Sequence, residues 1–560
     1  MSASKKKQIR REAELANPAL TEKQKQELKT AKAHKRNVIL GIVIGVVALV
    51  LVAALLIWNS GLILRHTTAA EVKDTKLTVA DMEYYYQVCV NQVYNTQQMY
   101  QQFGMEFTSP FDPTADYTTQ TVDASLRSLM YSQGVGPEEG AEDQNYHDYF
   151  LECSKLLAAH IVATNDAAKA AGYTLSEDAQ KELDEAKTSL KAQATSSGFG
   201  SSAAFLRAMY GRSMNERVYL KNIERYVTYT DYQQSVLNDM GGYSDEEIES
   251  YYGEHTDTLD SYSYHTAYMD GTVASKTDDD GNTVQPTDEE KKNALADAKK
   301  KADELLAAVK NAEPAGDGET ATDIFTANAA AYTTNYAVRT NTLGTSIPDA
   351  FSEWLFSSER KAGDIDVFEV TDSGYYVVQF DSRARDDNPL IDVRHILIKG
   401  EDKAADDENT GTTNSSEDET RTMAEAKAEA EKILKEYTDS ETQTAESFGE
   451  LAEKYSEDGR SGDENKLQQS GGLYSGVKYG EMVKAFNDWI FDESRKEGDT
   501  DIVQTEYGYH VMYFQARNDP AWKTAAQNSK KSEEQEQWLD KTYEGYETIA
   551  ASGLQKVHER

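Results

Sequence analysis

Met482 and Phe486 stand four residues apart in EMVKAFNDWIF, so on a helix they share one face and offer a small apolar cradle. His395 and His510 fall in two predicted strands, VRHILIK and GYHVMYF, which open and close one folding unit and can be neighbours in a sheet. Chemistry that cleaves a bond is not indicated. There is no nucleophile elbow, no H-E-x-x-H and no Cys–His arrangement, which argues against hydrolysis. Neither G-x-x-x-x-G-K-[ST] nor G-x-G-x-x-G occurs, so a nucleotide-driven enzyme is not expected. Each residue also has a plain alternative. Met482 and Phe486 fit an ordinary core pair, a lone His is more often structural than catalytic, and Asp458 fits a turn before Gly459.

The elements that would position these groups are repeated. Residues 350–380 read AFSEWLFSSERKAGDIDVFEVTDSGYYVVQF, and residues 485–514 read AFNDWIFDESRKEGDTDIVQTEYGYHVMYF. With one gap they share A-F-x-x-W-x-F-x-x-x-R-K-x-G-D-x-D and then G-Y-x-V-x-x-F, too many fixed positions for chance. Upstream, SYHTAYM (263–269) aligns with VRHILIK (393–399) and places His265 opposite His395. A charged, Ala-rich helix follows in each copy, then a shorter helix in which 325–332 matches 448–455. The expected unit is strand, three helices, strand, over about 125 residues; two such units are a domain duplication, because solenoid periods are about 20–50 residues. Acidic insertions after the first strand of each copy, DGTVASKTDDDGNTVQ and EDKAADDENTGTTNSSEDE, read as solvated loops without the spacing of a calcium site.

At R-H-I-L-I (394–398), F-G-E-L-A-E-K-Y-S-E-D (448–458), G-G-L (471–473), M-V-K-A-F (482–486) and V-Q-T-E-Y-G-Y-H (503–510), the second copy resembles a parvulin-type peptidyl-prolyl isomerase domain. The whole outer portion is similar to membrane-anchored exported foldases of the PrsA, SurA and PpiD kind, in which a helical chaperone domain precedes one or two parvulin domains. The resemblance implies an α+β fold: a transmembrane anchor, a SurA-N-like helical domain, and two tandem parvulin-like domains, each a small antiparallel sheet wrapped by helices. It implies that His395 and His510 form a hydrogen-bonded imidazole pair at the floor of the site. Asp458 takes the acidic or thiol position beside the substrate carbonyl, and Thr505 supplies a hydroxyl that supports the histidines. Met482 and Phe486 take the proline ring. No cofactor and no metal is called for. Rotating an X-Pro amide has to overcome a barrier of about 20 kcal/mol without breaking a covalent bond, so the catalyst must favour the twisted amide over the planar one. The histidines are expected to orient the site rather than shuttle protons, which implies weak pH dependence near neutrality.

The second copy departs from the family where the G-G-D-L-G segment becomes Gly471-Gly472-Leu473-Tyr474-Ser475, which puts the pocket mouth, the rate and the substrate range in question. In the first copy His265 and Phe351 are kept, but Asn335 stands at the Asp458 position, Ile347 at the Met482 position and Tyr376 at the His510 position. That copy is expected to be catalytically silent.

Charge and hydropathy set the remaining frame. The 560 residues carry a net charge of −39, which argues against nucleic-acid binding. Residues 1–36 hold eleven Lys/Arg against four Glu, a net +7 that leaves −46 for the remainder. An uncharged run of 21 residues follows at 38–58, the length that spans a bilayer core, and the positive-inside bias places the N-terminus in the cytoplasm. Its length favours an uncleaved lipid-embedded anchor over a signal peptide cleaved near Thr68-Ala69-Ala70. The expected layout is a basic cytoplasmic tail (1–36), a transmembrane helix (37–58), a helical chaperone domain (70–255), a degenerate parvulin-like domain (256–386), a parvulin-like isomerase domain (387–517) and a helical tail (518–560). The tail either folds back onto the helical domain or stands as an exposed helix. N-caps are expected at Ser176, Ser202, Ser213 and Ser244, and a helix stop at Gly172. Strand signals are nearly absent from 70–255. Cys89 and Cys153 exclude a disulfide-stapled scaffold and fit either one bridge between helices or two buried thiols. Three functions compete: a foldase that isomerises X-Pro bonds in newly exported, unfolded polypeptides; a holdase whose parvulin units only bind peptides; and a structural surface protein, which leaves the repeat unexplained.

Overall fold

The computed structural model describes residues 5, 6, 12, 13, 21–102, 104, 105, 107–137, 143–277, 283–312, 321–401, 421–458 and 470–558. The chain separates into two compact units, 1–240 with 534–560, and 241–533. The fold is α+β, with small antiparallel sheets.

The first unit begins with α1 (Glu22–Asn59), whose 22-residue stretch Val38–Asn59 is, among the described residues, the one helix long and apolar enough to cross a membrane. Next come β1 (Thr68–Val72), β2 (Thr75–Thr78) and six helices, α2 (Val79–Gln102), α3 (Ala124–Ser132), α4 (Tyr146–Ala171), α5 (Glu177–Ser196), α6 (Ser202–Tyr210) and α7 (Glu216–Asp239). The β1–β2 hairpin is a correction to the all-helical expectation. Its strands are only five and four residues long, and Lys73 makes the turn at φ 47°. Caps follow hydrogen-bond geometry rather than proximity to the helix. Ser176 caps α5 and Gly172 ends α4 at φ 66°, but Ser201, not Ser202, caps α6, and Asn215, not Ser213, caps α7. Ser213 is buried and gives its hydroxyl to Glu83 instead. Cys89 and Cys153 are free thiols, buried side by side between α2 and α4. The core around them is rich in tyrosine, including Tyr85, Tyr86, Tyr146 and Tyr149.

The second unit contains α8 (Asp245–Glu254), opened by the expected Ser244/Glu247 capping box, a one-turn α9 (Thr256–Leu259), and two modules. Module one is β3 (Ser261–Asp270), a two-residue ladder β4 (Lys276–Thr277) and β5 (Thr283–Val284), α10 (Asp288–Asn311), α11 (Ala321–Ala329), β6 (Tyr336–Leu343), α12 (Asp349–Phe356), β7 (Ile365–Val370) and β8 (Gly374–Ala384). Module two is β9 (Pro389–Lys399), α13 (Met423–Thr438), α14 (Ala445–Tyr455), β10 (Leu473–Val477), α15 (Lys484–Phe491), β11 (Thr500–Thr505) and β12 (Gly508–Pro520). The sheets have the same strand order, β6-β3-β8-β7 and β10-β9-β12-β11. The main sheet of each module therefore has two strands more than the expected unit, because a strand follows the second helix and another follows the third. The first acidic insertion forms the β4–β5 ladder, with 278–282 outside the described residues, and 402–419 of the second also lies outside them.

The repeated frame has a physical basis that recurs in both copies. Arg360 lies over the Trp354 ring at 4.7 Å, and Arg495 over Trp489 at 4.4 Å. The Asp364 side chain accepts from the Lys361 N–H at 3.0 Å, and Asp499 from Lys496 at 2.9 Å. Gly363 and Gly498 take φ 90° and 88°, and their N–H groups donate to the carbonyls of Phe380 and Phe514. Each copy thus ties its third helix to its last strand through the same contacts.

After β12, α16 (Ala521–Tyr543) leads back into the first unit, where β13 (Thr548–Ala550) pairs antiparallel with β1 in the order β13-β1-β2. Tyr543 stacks on His160 at 3.8 Å, and His558 on Tyr86 at 4.7 Å. The tail's last residues are thus part of the helical unit's own core.

Candidate active site

β9 and β12 are adjacent, with His395 opposite Met512 and His510 opposite Leu397. The two histidines are diagonal neighbours on one face of the sheet. Their Nδ1 atoms are 3.1 Å apart, and both rings are almost fully buried. Thr505, at the end of β11, places Oγ1 2.8 Å from His510 Nε2 and accepts the Tyr507 N–H at 3.2 Å. Asp458 arrives on the segment after α14. That segment lies along β9 because Glu457 N–H donates to the Leu397 carbonyl at 2.8 Å and Leu397 N–H to Ser456 Oγ at 3.3 Å. Its Oδ2 sits 3.1 Å from His395 Nε2.

Phe486 lies edge-on to both imidazoles, 5.4 Å from each. Met482 lines the same cavity, but it precedes the cap residue Val483 of α15 and so stands just outside the helix; the expectation that both residues ride one helix face is corrected here. Together with Leu397, Val483, Tyr474 and Tyr507 they wall a cleft of about 480 Å³. Gly472 lets the floor close. At φ 68° its carbonyl accepts the His395 N–H at 3.0 Å, and a Cβ there would lie 2.4 Å from the His395 carbonyl oxygen.

The electrostatics fix the charge of two groups in the site. His395 beside it holds the Asp458 carboxyl down to about 2, against the opposing effect of burial. Burial first, and neighbouring His395 second, pull His510 down to about 3. Both are therefore settled at neutral pH: a carboxylate and a neutral imidazole. Asp458 Oδ2 faces His395 Nε2 as a charge contact out of hydrogen-bond line; with the His395 proton on that side, His395 Nδ1 accepts from His510 Nδ1–H, and His510 Nε2 accepts from the Thr505 hydroxyl. The structure thus brings His395, Asp458, His510, Met482 and Phe486 to one cleft, with Thr505 behind it against His510. Among the described residues, no group of three His, Cys, Asp or Glu is placed to hold a metal ion.

Tyr474 is the residue that sequence reasoning passed over. It stacks on His395 at 4.8 Å and 14°, and its hydroxyl donates to Asp458 Oδ2 at 2.9 Å. The signal was present in the altered G-G-L-Y-S segment.

Module one differs more than its sequence alignment implied. Counting from Gly374 and Gly508, which face Asp270 and Lys399, the residue opposite Val378 is Thr266, and the residue opposite Met512 is His395. Thr266, not His265, therefore occupies the His395 position. The slip of one residue sends His265 through to the other face. There it packs on Phe325 at 5.2 Å, with Nε2 2.6 Å from Asp381 Oδ2. On the site face, Tyr376 lies edge-on to Phe351 at 5.3 Å, as His510 does to Phe486.

Residues 381–518 match the family model described as the PPIC-type PPIase domain. This stretch is a parvulin-type peptidyl-prolyl isomerase domain. The isomerase domain makes up about a quarter of the chain. No curated protein matches the sequence. Among solved structures, the chain is similar to PrsA from Bacillus subtilis at 16% identity, covering 76% of this chain and 91% of that one, with a TM-score of 0.21. It is similar to the peptidylprolyl isomerase PrsA from Bacillus anthracis at 19% identity, covering 31% and 63%, with a TM-score of 0.17. It is also similar to a structure reported for the SurA-like chaperones PEB4 and Cj1289 of Campylobacter jejuni at 22% identity, covering 28% and 52%, with a TM-score of 0.17. The chain thus spans about half to two thirds of the last two.

Proposed function

We propose that the protein is a membrane-anchored extracytoplasmic foldase. In this reading the isomerase domain catalyses cis/trans isomerisation of X-Pro bonds in exported polypeptides, and the helical unit binds unfolded chains. The single observation that carries it is the buried His395–His510 pair, flanked by Asp458 and Thr505, at the floor of an apolar cleft walled by Met482 and Phe486. A proline ring entering between Met482 and Phe486 would set its imide against a buried, fixed imidazole pair. Such a site favours the twisted imide by shape and fixed dipoles, with no bond made or broken. Val38–Asn59 would tether the chain, with the basic segment 1–36 inside and the acidic remainder outside. Module one, lacking both imidazoles on its site face, is assigned a silent, spacing or peptide-binding role.

The test is proline-limited refolding of a substrate protein by the full chain. Wild type should accelerate the slow phase and His510→Ala should not. The holdase alternative draws on the changed G-G-L-Y-S segment and wins if His395→Ala and Asp458→Ala both leave client folding intact.

A further inference from the structure

We propose that Tyr474 is a positioning residue of this site: it holds the Asp458 carboxylate in the orientation that keeps the His395 proton on Nε2. The argument rests on the isomerase reading only for its kinetic readout.

Asp458 Oδ2 is shared by two groups, the Tyr474 hydroxyl at 2.9 Å and His395 Nε2 at 3.1 Å. Asp458 stands on an irregular segment, half-buried, so its side chain needs a partner to stay in one rotamer. Tyr474 supplies it from β10, the edge strand, where it pairs with Val393 beside His395. Its ring lies nearly parallel to the His395 ring and covers it. One side chain therefore fixes both ends of the Asp458–His395 contact: ring against ring, hydroxyl against carboxylate.

Among the described residues, the groups facing this pair are few. Asp458 meets His395, Tyr474 and His510, and Tyr474 also meets Glu481 from the loop before α15. Neighbouring Glu457 is engaged elsewhere, by the Lys399 N–H at 2.7 Å and Arg421 at 2.8 Å. Burial, then Asp458, push the phenol of Tyr474 up, so it remains a donor throughout the working range. The chain carries its own comparison. Val393 of β9 corresponds to Tyr264 of β3, and the residue paired with Tyr264 is Arg339. Module one thus lacks the tyrosine together with both imidazoles, while keeping the Trp–Arg and Gly-Asp frame. A tyrosine needed only for packing would be expected to persist with the frame.

The test uses full-length protein in detergent micelles, labelled with ¹⁵N at its nine histidines. Imidazole ¹⁵N shifts at neutral pH report the His395 tautomer, assigned with a His395→Asn variant. Wild type should show a proton held on Nε2. Tyr474→Phe keeps the ring and removes the hydroxyl; its His395 shifts should move toward a mixture of tautomers. Its kcat in refolding should fall about tenfold with KM nearly unchanged, the scale of one lost hydrogen bond to a charged acceptor. Tyr474→Leu should also raise KM, because the wall is lost. A Tyr474→Phe protein with wild-type imidazole shifts and wild-type kcat overturns the proposal. If wild type itself proves inactive, the foldase reading falls, and the tautomer comparison still decides the role of Tyr474.

Discussion

Replacing Thr505 by Val tests whether the relay is directional. The hydroxyl is buried, 2.8 Å from His510 Nε2, and accepts the Tyr507 N–H at 3.2 Å. Valine preserves the shape and removes both interactions. His510 Nε2 would be left with an unmatched lone pair, and a buried acceptor without a donor costs about 1–3 kcal/mol. The ring has one escape, moving its own proton from Nδ1 to Nε2. That would set two Nδ1 lone pairs against each other across 3.1 Å, unless His395 also switched and turned its Nε2 lone pair toward the Asp458 carboxylate. Either route disturbs the arrangement on which the cleft depends. If the whole cost appears in the barrier, kcat/KM falls about 5- to 150-fold at 1.36 kcal/mol per decade. Thr505→Ser, which keeps the hydroxyl, should recover most of the rate. The assay is acceleration of a proline-limited refolding phase by full-length protein, with thermal unfolding as a control. If Thr505→Val and Thr505→Ser both turn over like wild type, the hydroxyl does not set the relay and the proton assignment is wrong.

Three further outcomes are expected. His510 should contribute no activity limb between about pH 6.5 and 8, because it has been pulled from 6.5 to about 3 and stays neutral. Its contribution to stability is complete above 6.5 and is lost as pH falls toward 3, while that of Asp458 is complete above 3.8 and is lost toward 2. An activity limb near pH 6.5 that tracks the His510 ¹⁵N shifts would contradict this. Gly472→Ala should lower the melting temperature and remove activity, since φ 68° in a non-glycine residue costs about 1–3 kcal/mol before the Cβ meets the His395 carbonyl; unchanged melting and turnover would refute that account. His265→Ala should destabilise module one by separating Asp381 from its partner, yet leave the refolding rate unchanged, and a large loss of rate would place catalysis in the wrong module.

The legible parts of the sequence were those whose signal is local or repeated. The A-F-x-x-W and R-K-x-G-D positions announce the duplication because each makes a short-range contact, Trp with Arg and Asp with a backbone N–H three residues back. The six candidate positions stood out because they occur in one ordered pattern. Register was less legible. SYHTAYM and VRHILIK align most naturally by their shared histidine, yet the strand is pinned by pairing with a distant partner, and a shift of one residue reverses its faces. The β1–β2 hairpin escaped because its third strand comes from residues 548–550, nearly five hundred positions away. Tyr474 was not legible because the G-G-L-Y-S segment shows which residues are replaced and not what the phenol reaches across the sheet.

The two modules show why a shared fold carries no argument for a shared activity in this chain. The contacts that recur lie at one edge, between the third helix and the last hairpin, and they satisfy backbone groups and bury a tryptophan. None of them involves the positions of His395, His510, Thr505 or Asp458. Replacing those four therefore leaves the frame intact, and module one still closes a four-stranded sheet over Phe351 with Tyr376 in place of an imidazole. The converse does not hold. In module two the imidazoles are buried polar groups held by each other, with the Thr505 hydroxyl bonded to His510 at one end and the Asp458 carboxylate in charge contact with His395 at the other. Loss of any one member exposes the next to an unmatched buried atom, so the site is expected to be kept or lost as a set. That is the pattern the two halves of this chain display.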